Sequence, residues 1–120
     1  MARILVAEND KNFGLILKME LEDEQFPVDL VTNGVEAVLA SIGTPYALLL
    51  LDMDLPRLNG MDTLRIIKKL NPALPVIAFS GCHGGWEGEE SVKTGVMKNL
   101  MKPFKISQLK KEIRDYFQNH

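Results

Sequence analysis

The sequence predicts an α/β fold, a parallel sheet with helices packed on both of its faces. Three observations carry the prediction. Short apolar runs recur along the chain, segments of helical spacing alternate with them, and no linker, repeat or low-complexity tract interrupts the series.

The elements follow in order. The first run, Ile4 to Ala7, is followed by Phe13, Ile16, Leu17 and Leu21 on one helical face, with Asn9 or Asp10 placed to cap that helix. The second, Val28 to Val31, precedes Val35, Val38, Leu39 and Ile42, with Asn33 as the cap. The third, Ala47 to Leu51, precedes Thr63, Ile66, Ile67 and Leu70. Asn71-Pro72 ends that helix, because proline cannot continue it. The fourth, Val76 to Phe79, leads into the glycine-rich stretch Gly81 to Gly88, so a fourth helix is expected late and short, near Glu89 to Lys93. The weaker fifth run, Val96 to Met101, leads into Ile106, Leu109, Ile113, Tyr116 and Phe117, the cleanest helical face of the chain. Runs apolar on both faces suit strands buried on both sides, and right-handed crossovers join them into one sheet. Sheets of this kind bind ligands beyond the carboxyl ends of their strands.

Composition narrows the function classes. A chain of 120 residues supports one domain, 1–120, with a core of its own. The lone Cys82 excludes an intrachain disulfide and fits a reducing compartment. Fourteen basic against sixteen acidic residues give a net charge of −2 without a basic block, so direct nucleic-acid binding is not expected. The opening apolar run is too short for a signal peptide, and the longest, Tyr46 to Leu51, is too short for a membrane span. A cytoplasmic protein is expected, without a membrane partner.

The strand ends carry the chemistry. Glu8, Asn9 and Asp10 follow the first run, and Asp52 closes the third ahead of Met53, Asp54, Leu55 and Pro56. Ser80 and Gly81 follow the fourth, and Lys102, Pro103 and Phe104 the fifth. Carboxylate and carbonyl oxygens suit a hard cation such as Mg²⁺, which keeps several waters and needs few protein ligands. A carboxylate can also act as a nucleophile and carry a phosphoryl group, whose oxygens metal, lysine and hydroxyl would neutralise.

At this point a family resemblance is visible. The segments ILVAEND, LLLLDMDLPRLNG, PVIAFSG and LMKPF resemble, in order and spacing, the four signature segments of the receiver domains of two-component response regulators. The resemblance implies a flavodoxin-like, doubly wound (βα)5 domain with strand order 2-1-3-4-5. It implies that Asp52 is the phosphoacceptor and that Glu8 and Asn9, with Asp52 and the backbone carbonyl of Asp54, hold Mg²⁺. Ser80 would bind the phosphoryl group and Lys102 would pair with acceptor and phosphoryl oxygens. Pro56, Gly60, Gly81 and Pro103 would shape the site, with the Lys102-Pro103 bond a candidate for cis. A sensor histidine kinase or phosphotransfer protein would be the donor, with no turnover of an external substrate. Homodimerisation through the fourth helix, fifth strand and fifth helix is a further implication.

Three positions depart from the family pattern, the mildest being Gly81 for the usual alanine, which keeps the phosphate entrance open. Asn9 stands where a second acid is usual; its amide oxygen can ligate a cation but adds no charge, so weaker Mg²⁺ binding is expected. Shifting the register to use Asp10 instead would disrupt the spacing that otherwise matches. Asn99 stands where receivers carry an aromatic switch residue, and an amide cannot fill an apolar pocket without partners.

Blander readings stand beside these. Asp52 alone could end a strand and cap a loop. Glu8 and Asp10 could simply favour a helix N-terminus, and Asp54 could point to solvent. His83 reads as a loop residue and His120 as a chain-end one. Trp86 reads as a lid or an exposed contact, and Met53, Met61, Met97 and Met101 as core or loop filling. A phosphorylation-independent receiver-like interaction module is the alternative function. A haloacid-dehalogenase-type phosphatase shares the Asp52-Met53-Asp54 spacing, but Pro56 and the lack of an acidic pair after Lys102 oppose it.

Overall fold

A computed structural model describes residues 2–81 and 95–119. The strands are β1 (Ile4–Ala7), β2 (Val28–Val31), β3 (Leu48–Asp52), β4 (Val76–Ser80) and β5 (Lys98–Met101). They form one parallel sheet in the order β2-β1-β3-β4-β5, as the resemblance implied. The described helices are α1 (Lys11–Asp23), α2 (Gly34–Gly43), α3 (Gly60–Leu70) and α4 (Ile106–Asn119), the last being the fifth expected from the sequence. The short helix expected near Glu89 to Lys93 lies outside the described residues, as do Cys82, His83, Trp86 and His120.

Side chains alternate across the strands and build two cores. On one face Ile4, Val6, Leu48, Leu50, Ile77, Phe79 and Leu100 meet Leu17 and Leu21 of α1 and Leu109 and Ile113 of α4. On the other, Leu5, Ala7, Leu49, Leu51, Val76 and Ala78 meet Ala37 of α2 and Leu64 and Ile67 of α3. Every residue of β1, β3 and β4 is buried, which is why those runs show no polar alternation in the sequence.

The caps of α1 and α2 fall at expected residues, and Asn59, not foreseen from the sequence, caps α3. Asp10 accepts from the backbone N–H groups of Asn12 and Phe13, Asn33 from Glu36 and Asn59 from Asp62. Asn71 closes α3 before Pro72. Three strands differ from expectation in their bounds: β3 runs from Leu48 to Asp52, one residue later at both ends, and β4 runs one residue further, making Asp52 and Ser80 the last strand residues. β5 begins at Lys98 rather than Val96.

The helical faces are narrower than the apolar spacing suggested. Ile16, Leu39, Ile42, Ile66 and Leu70 are exposed, and so are Met97 and Met101, which were expected to fill core or loop. Small residues take the inward positions instead. Gly34 sits so close to the loop after β3 that an added Cβ would lie 2.1 Å from the Leu58 carbonyl oxygen. A helix that approaches on Gly34 and Ala37 leaves Leu39 and Ile42 turned outward.

Candidate functional site

Strand register assembles the site. Ala7 lies opposite Leu51, so Glu8 and Asp52 follow as the next step of the same ladder. Phe79 lies opposite both Asp52 and Leu100, which brings the end of β5 to the same edge. Backbone bonds extend the ladders past the strand ends: the N–H of Glu8 donates to Val31 O, that of Met53 to Phe79 O and that of Lys102 to Ser80 O. Each functional residue therefore starts from a fixed backbone.

Alternation then sorts the side chains. Asp52 continues the Leu48, Leu50 series and shares its face with Glu8 and Lys102, whose predecessors are Val6 and Leu100. Ser80 continues the Val76, Ala78 series on the opposite face, which Asn99, paired with Ala78, also shares.

The Lys102 ammonium joins the first group. Its Nζ lies 2.8 Å from Glu8 Oε1 and 3.3 Å from Asp52 Oδ2. Glu8 and Asp52 are 1% and 2% exposed, so two carboxylates share one cation away from solvent. Asp52 Oδ1 accepts the Asp54 backbone N–H at 2.9 Å, and Glu8 Oε2 accepts that of Asp10 at 3.0 Å. Burial pushes the Glu8 carboxyl up to about 7; Lys102 opposes this, the neighbouring Asp52 adds to it, and the Asp10 N–H opposes it. Burial works to lower Lys102, but Glu8 and Asp52 outweigh it and hold the ammonium above the ordinary lysine range.

An aromatic wall borders the lysine on one side. Its Nζ lies 5.2 Å from the Phe13 ring centroid, Phe13 meets Phe104 edge-on at 5.6 Å, and Phe104 packs on the buried Phe79 at 4.8 Å. The Lys102-Pro103 peptide is cis.

The loop after Asp52 is sealed by glycine. The Gly60 N–H donates to Met53 O, and a Cβ on Gly60 would lie 2.3 Å from Met53 Cα. Pro56 O accepts from Leu58 and from Gly34, and Arg57 takes a positive φ of 70° within the turn.

The structure thus brings Glu8, Asp52 and Lys102 into contact and buries Ser80 nearby at 6% exposure. It leaves Asn9 and Asp54 exposed at the rim, with Asp10 as the cap of α1. Gly81 borders Asp54, where an added Cβ would lie 3.4 Å from Asp54 Oδ2. Asn99 Oδ1 is buried without a hydrogen-bond partner. Two features were missed from the sequence: the direct Glu8–Lys102 pair and the Phe13–Phe104 wall. Phe104 directly after Lys102-Pro103 was the available signal for the wall.

Among the described residues, no group of three or more His, Cys, Asp or Glu is arranged around a common metal position. The donor set still fits Mg²⁺, which uses one or two carboxylates and retains water. The buried carboxylates of Glu8 and Asp52, with the exposed Asn9 and Asp54 beside them at one sheet edge, supply a donor set of that kind.

Comparison with known proteins gives the family. The response regulator ArlR of Staphylococcus saprophyticus is 30% identical over 114 residues, 95% of this chain and 51% of ArlR. The chain spans about half the length of the curated relatives it matches. The receiver domain of the Francisella response regulator 1452 superposes with a TM-score of 0.90 at 27% identity, covering 99% of this chain and 98% of that one. The receiver domain of the sensor histidine kinase PA1611 of Pseudomonas aeruginosa, whose active-site cleft coordinates a magnesium ion, aligns with a TM-score of 0.84 at 26% identity over 95% of each chain. No described helix is long and apolar enough to cross a membrane. The model of the response regulator receiver domain family matches residues 4–114, and the chain belongs to that family.

Proposed function

We propose that residues 1–120 act as one phosphoacceptor unit that takes a phosphoryl group onto Asp52 and changes conformation in response. The observation that carries this reading is the buried pairing of Asp52 and Glu8 through Lys102. A nucleophilic carboxylate must be held ionised and aimed, and its anionic substrate must be neutralised. Lys102 lies 3.3 Å from Asp52 Oδ2 in the resting state, and its shared position leaves it able to follow an incoming phosphoryl oxygen.

In the step itself an Asp52 carboxylate oxygen attacks phosphorus in line. The donor's bond to phosphorus breaks, and its electron pair leaves with the donor. The Asp54 N–H fixes one Asp52 oxygen, so the other, on the Lys102 side, is the acceptor. Ser80, on the neighbouring strand end, donates its hydroxyl to a phosphoryl oxygen. Glu8, Asn9, Asp52 and the Asp54 backbone carbonyl would hold Mg²⁺, which when bound neutralises phosphoryl oxygens. The donor would be a phosphohistidine on a sensor histidine kinase or phosphotransfer protein in the cytoplasm, and no external substrate would be turned over.

The second reading is a phosphorylation-independent interaction module, favoured by the uncharged, exposed Asn9 and the unpartnered Asn99 oxygen. Intact-mass spectrometry after incubation with acetyl phosphate and Mg²⁺ separates the two. One phosphoryl adduct, absent in Asp52→Asn and absent when Mg²⁺ is chelated, is expected. An unlabelled wild-type chain would leave the second reading standing.

A further inference from the structure

One buried polar atom takes no part in the transfer step. Asn99 Oδ1 is the one side-chain nitrogen or oxygen among the described residues that is buried without a hydrogen-bond partner. Stranding an acceptor in this way costs free energy that an apolar side chain of the same shape does not. The register limits what the amide can reach. Asn99 stands opposite Ala78, and on that face of β4 Ala78 is flanked by Val76 and Ser80. Val76 and Ala78 carry no polar side-chain atom, and Met97 and Met101, two residues to either side of Asn99, carry only a thioether. Ser80 is therefore the one hydroxyl that the two strands offer to the amide. It stands at a diagonal separation of about 7–8 Å, which two side chains turned towards each other bridge with a hydrogen bond.

A serine hydroxyl has one proton to give and two lone pairs that accept. When that proton goes to a phosphoryl oxygen, Ser80 Oγ remains able to accept a bond. An asparagine amide presents a donor there once half a turn about its Cβ–Cγ bond exchanges the oxygen for the NH2 group. We propose that Asn99 is a positioning residue for Ser80, its side-chain N–H donating to Ser80 Oγ while the Ser80 O–H donates to the phosphoryl oxygen. The inference rests on the phosphoacceptor reading of Asp52 and adds the group that aims the hydroxyl. Bonds in such a chain polarise one another, so the amide strengthens a contact it does not itself make. The stranded oxygen raises the free energy of the resting state and the relay lowers that of the phosphorylated one. Both effects bias the domain the same way.

The test is a double-mutant cycle on Asn99→Leu and Ser80→Ala. It reads the rate constant for adduct formation from acetyl phosphate with Mg²⁺, by intact mass, and the urea midpoint of the unphosphorylated chain. Leucine has nearly the shape of asparagine but neither donor nor acceptor. Asn99→Leu is expected to raise the urea midpoint, because the stranded oxygen is gone, and to slow adduct formation about fivefold, the size of one hydrogen bond. In the Ser80→Ala background the same substitution is expected to leave the rate unchanged. Asn99→Ala gives the rate comparison if the leucine variant does not fold. Equal slowing with and without the Ser80 hydroxyl would mean that the amide acts through packing alone, and would overturn the proposal. So would an unchanged rate in the single variant, or a lowered midpoint in Asn99→Leu, which would mean that the oxygen is satisfied at rest. A wild-type chain that acetyl phosphate does not label would instead reject the phosphoacceptor reading beneath it.

Discussion

Along one sheet edge, Glu8, Asp52 and Ser80 are shut away from solvent, while Asn9, Asp10 and Asp54 a residue or two further on stand in it. The buried group hangs from the last strand positions, where neighbouring ladders fix the backbone and the cores fix the side chains. The exposed group sits on the turns that follow and answers mainly to local needs, such as capping α1. The contrast separates two jobs. Charges in the buried cluster set the stability and protonation of the site, because few waters can answer them. Those at the rim are expected to tune how strongly the site draws an ion, at little cost to the fold.

The largest expected effect lies in the buried cluster. Lys102→Ala would leave two carboxylates without their shared cation and should destabilise the fold by about 3 kcal/mol, the low end for a broken buried pair because the lysine is partly exposed. Urea unfolding at alkaline pH without Mg²⁺ reads this; a loss no larger than that of a surface mutant would erase the contrast.

Next comes pH. The folded Glu8 carboxyl titrates at about 7 against an ordinary value of 4.5. Between those values the folded chain holds a proton that the unfolded chain releases, so its contribution to stability falls as pH rises from 4.5 through about 7. Glu8→Gln should flatten that part of the metal-free stability profile. An unaltered profile would place the titration elsewhere.

At the rim, Asn9→Asp restores one negative charge and should tighten Mg²⁺ binding by about tenfold, ~1.4 kcal/mol. Titration calorimetry checks it, and equal affinities would mean that Asn9 faces away from the ion. The smallest effect is expected of Asp54→Ala. Its backbone N–H keeps the bond to Asp52, so stability should change by no more than about 0.5 kcal/mol. A larger loss would move Asp54 into the buried group.

The same division explains what was legible in the sequence. Strand identity was readable because β1, β3 and β4 are buried on both faces and appear as apolar runs. For the same reason the phase of alternation was not readable. Nothing in LLLLD tells which leucines share a face with Asp52, so the separation of Ser80 from the Glu8–Asp52–Lys102 group required the register. The caps Asp10 and Asn33 were legible because their chemistry is local. The exposure of Leu39 and Ile42 was not, because it depends on Gly34 approaching the Leu58 carbonyl from a distant loop. The residues of the site were legible one by one; the pairing of Lys102 with Glu8 at 2.8 Å, spanning the two ends of the chain, was not.

Asp52, and not the exposed carboxylate two residues on, is expected to accept the phosphoryl group. An acyl phosphate is reduced by borohydride to an alcohol, which marks the side chain that carried it. The protein is incubated with a phosphodonor and Mg²⁺, reduced with borohydride, digested and mapped by tandem mass spectrometry. Homoserine is expected at position 52 alone. Reduction at Asp54 or Glu8, with position 52 unchanged, would contradict it.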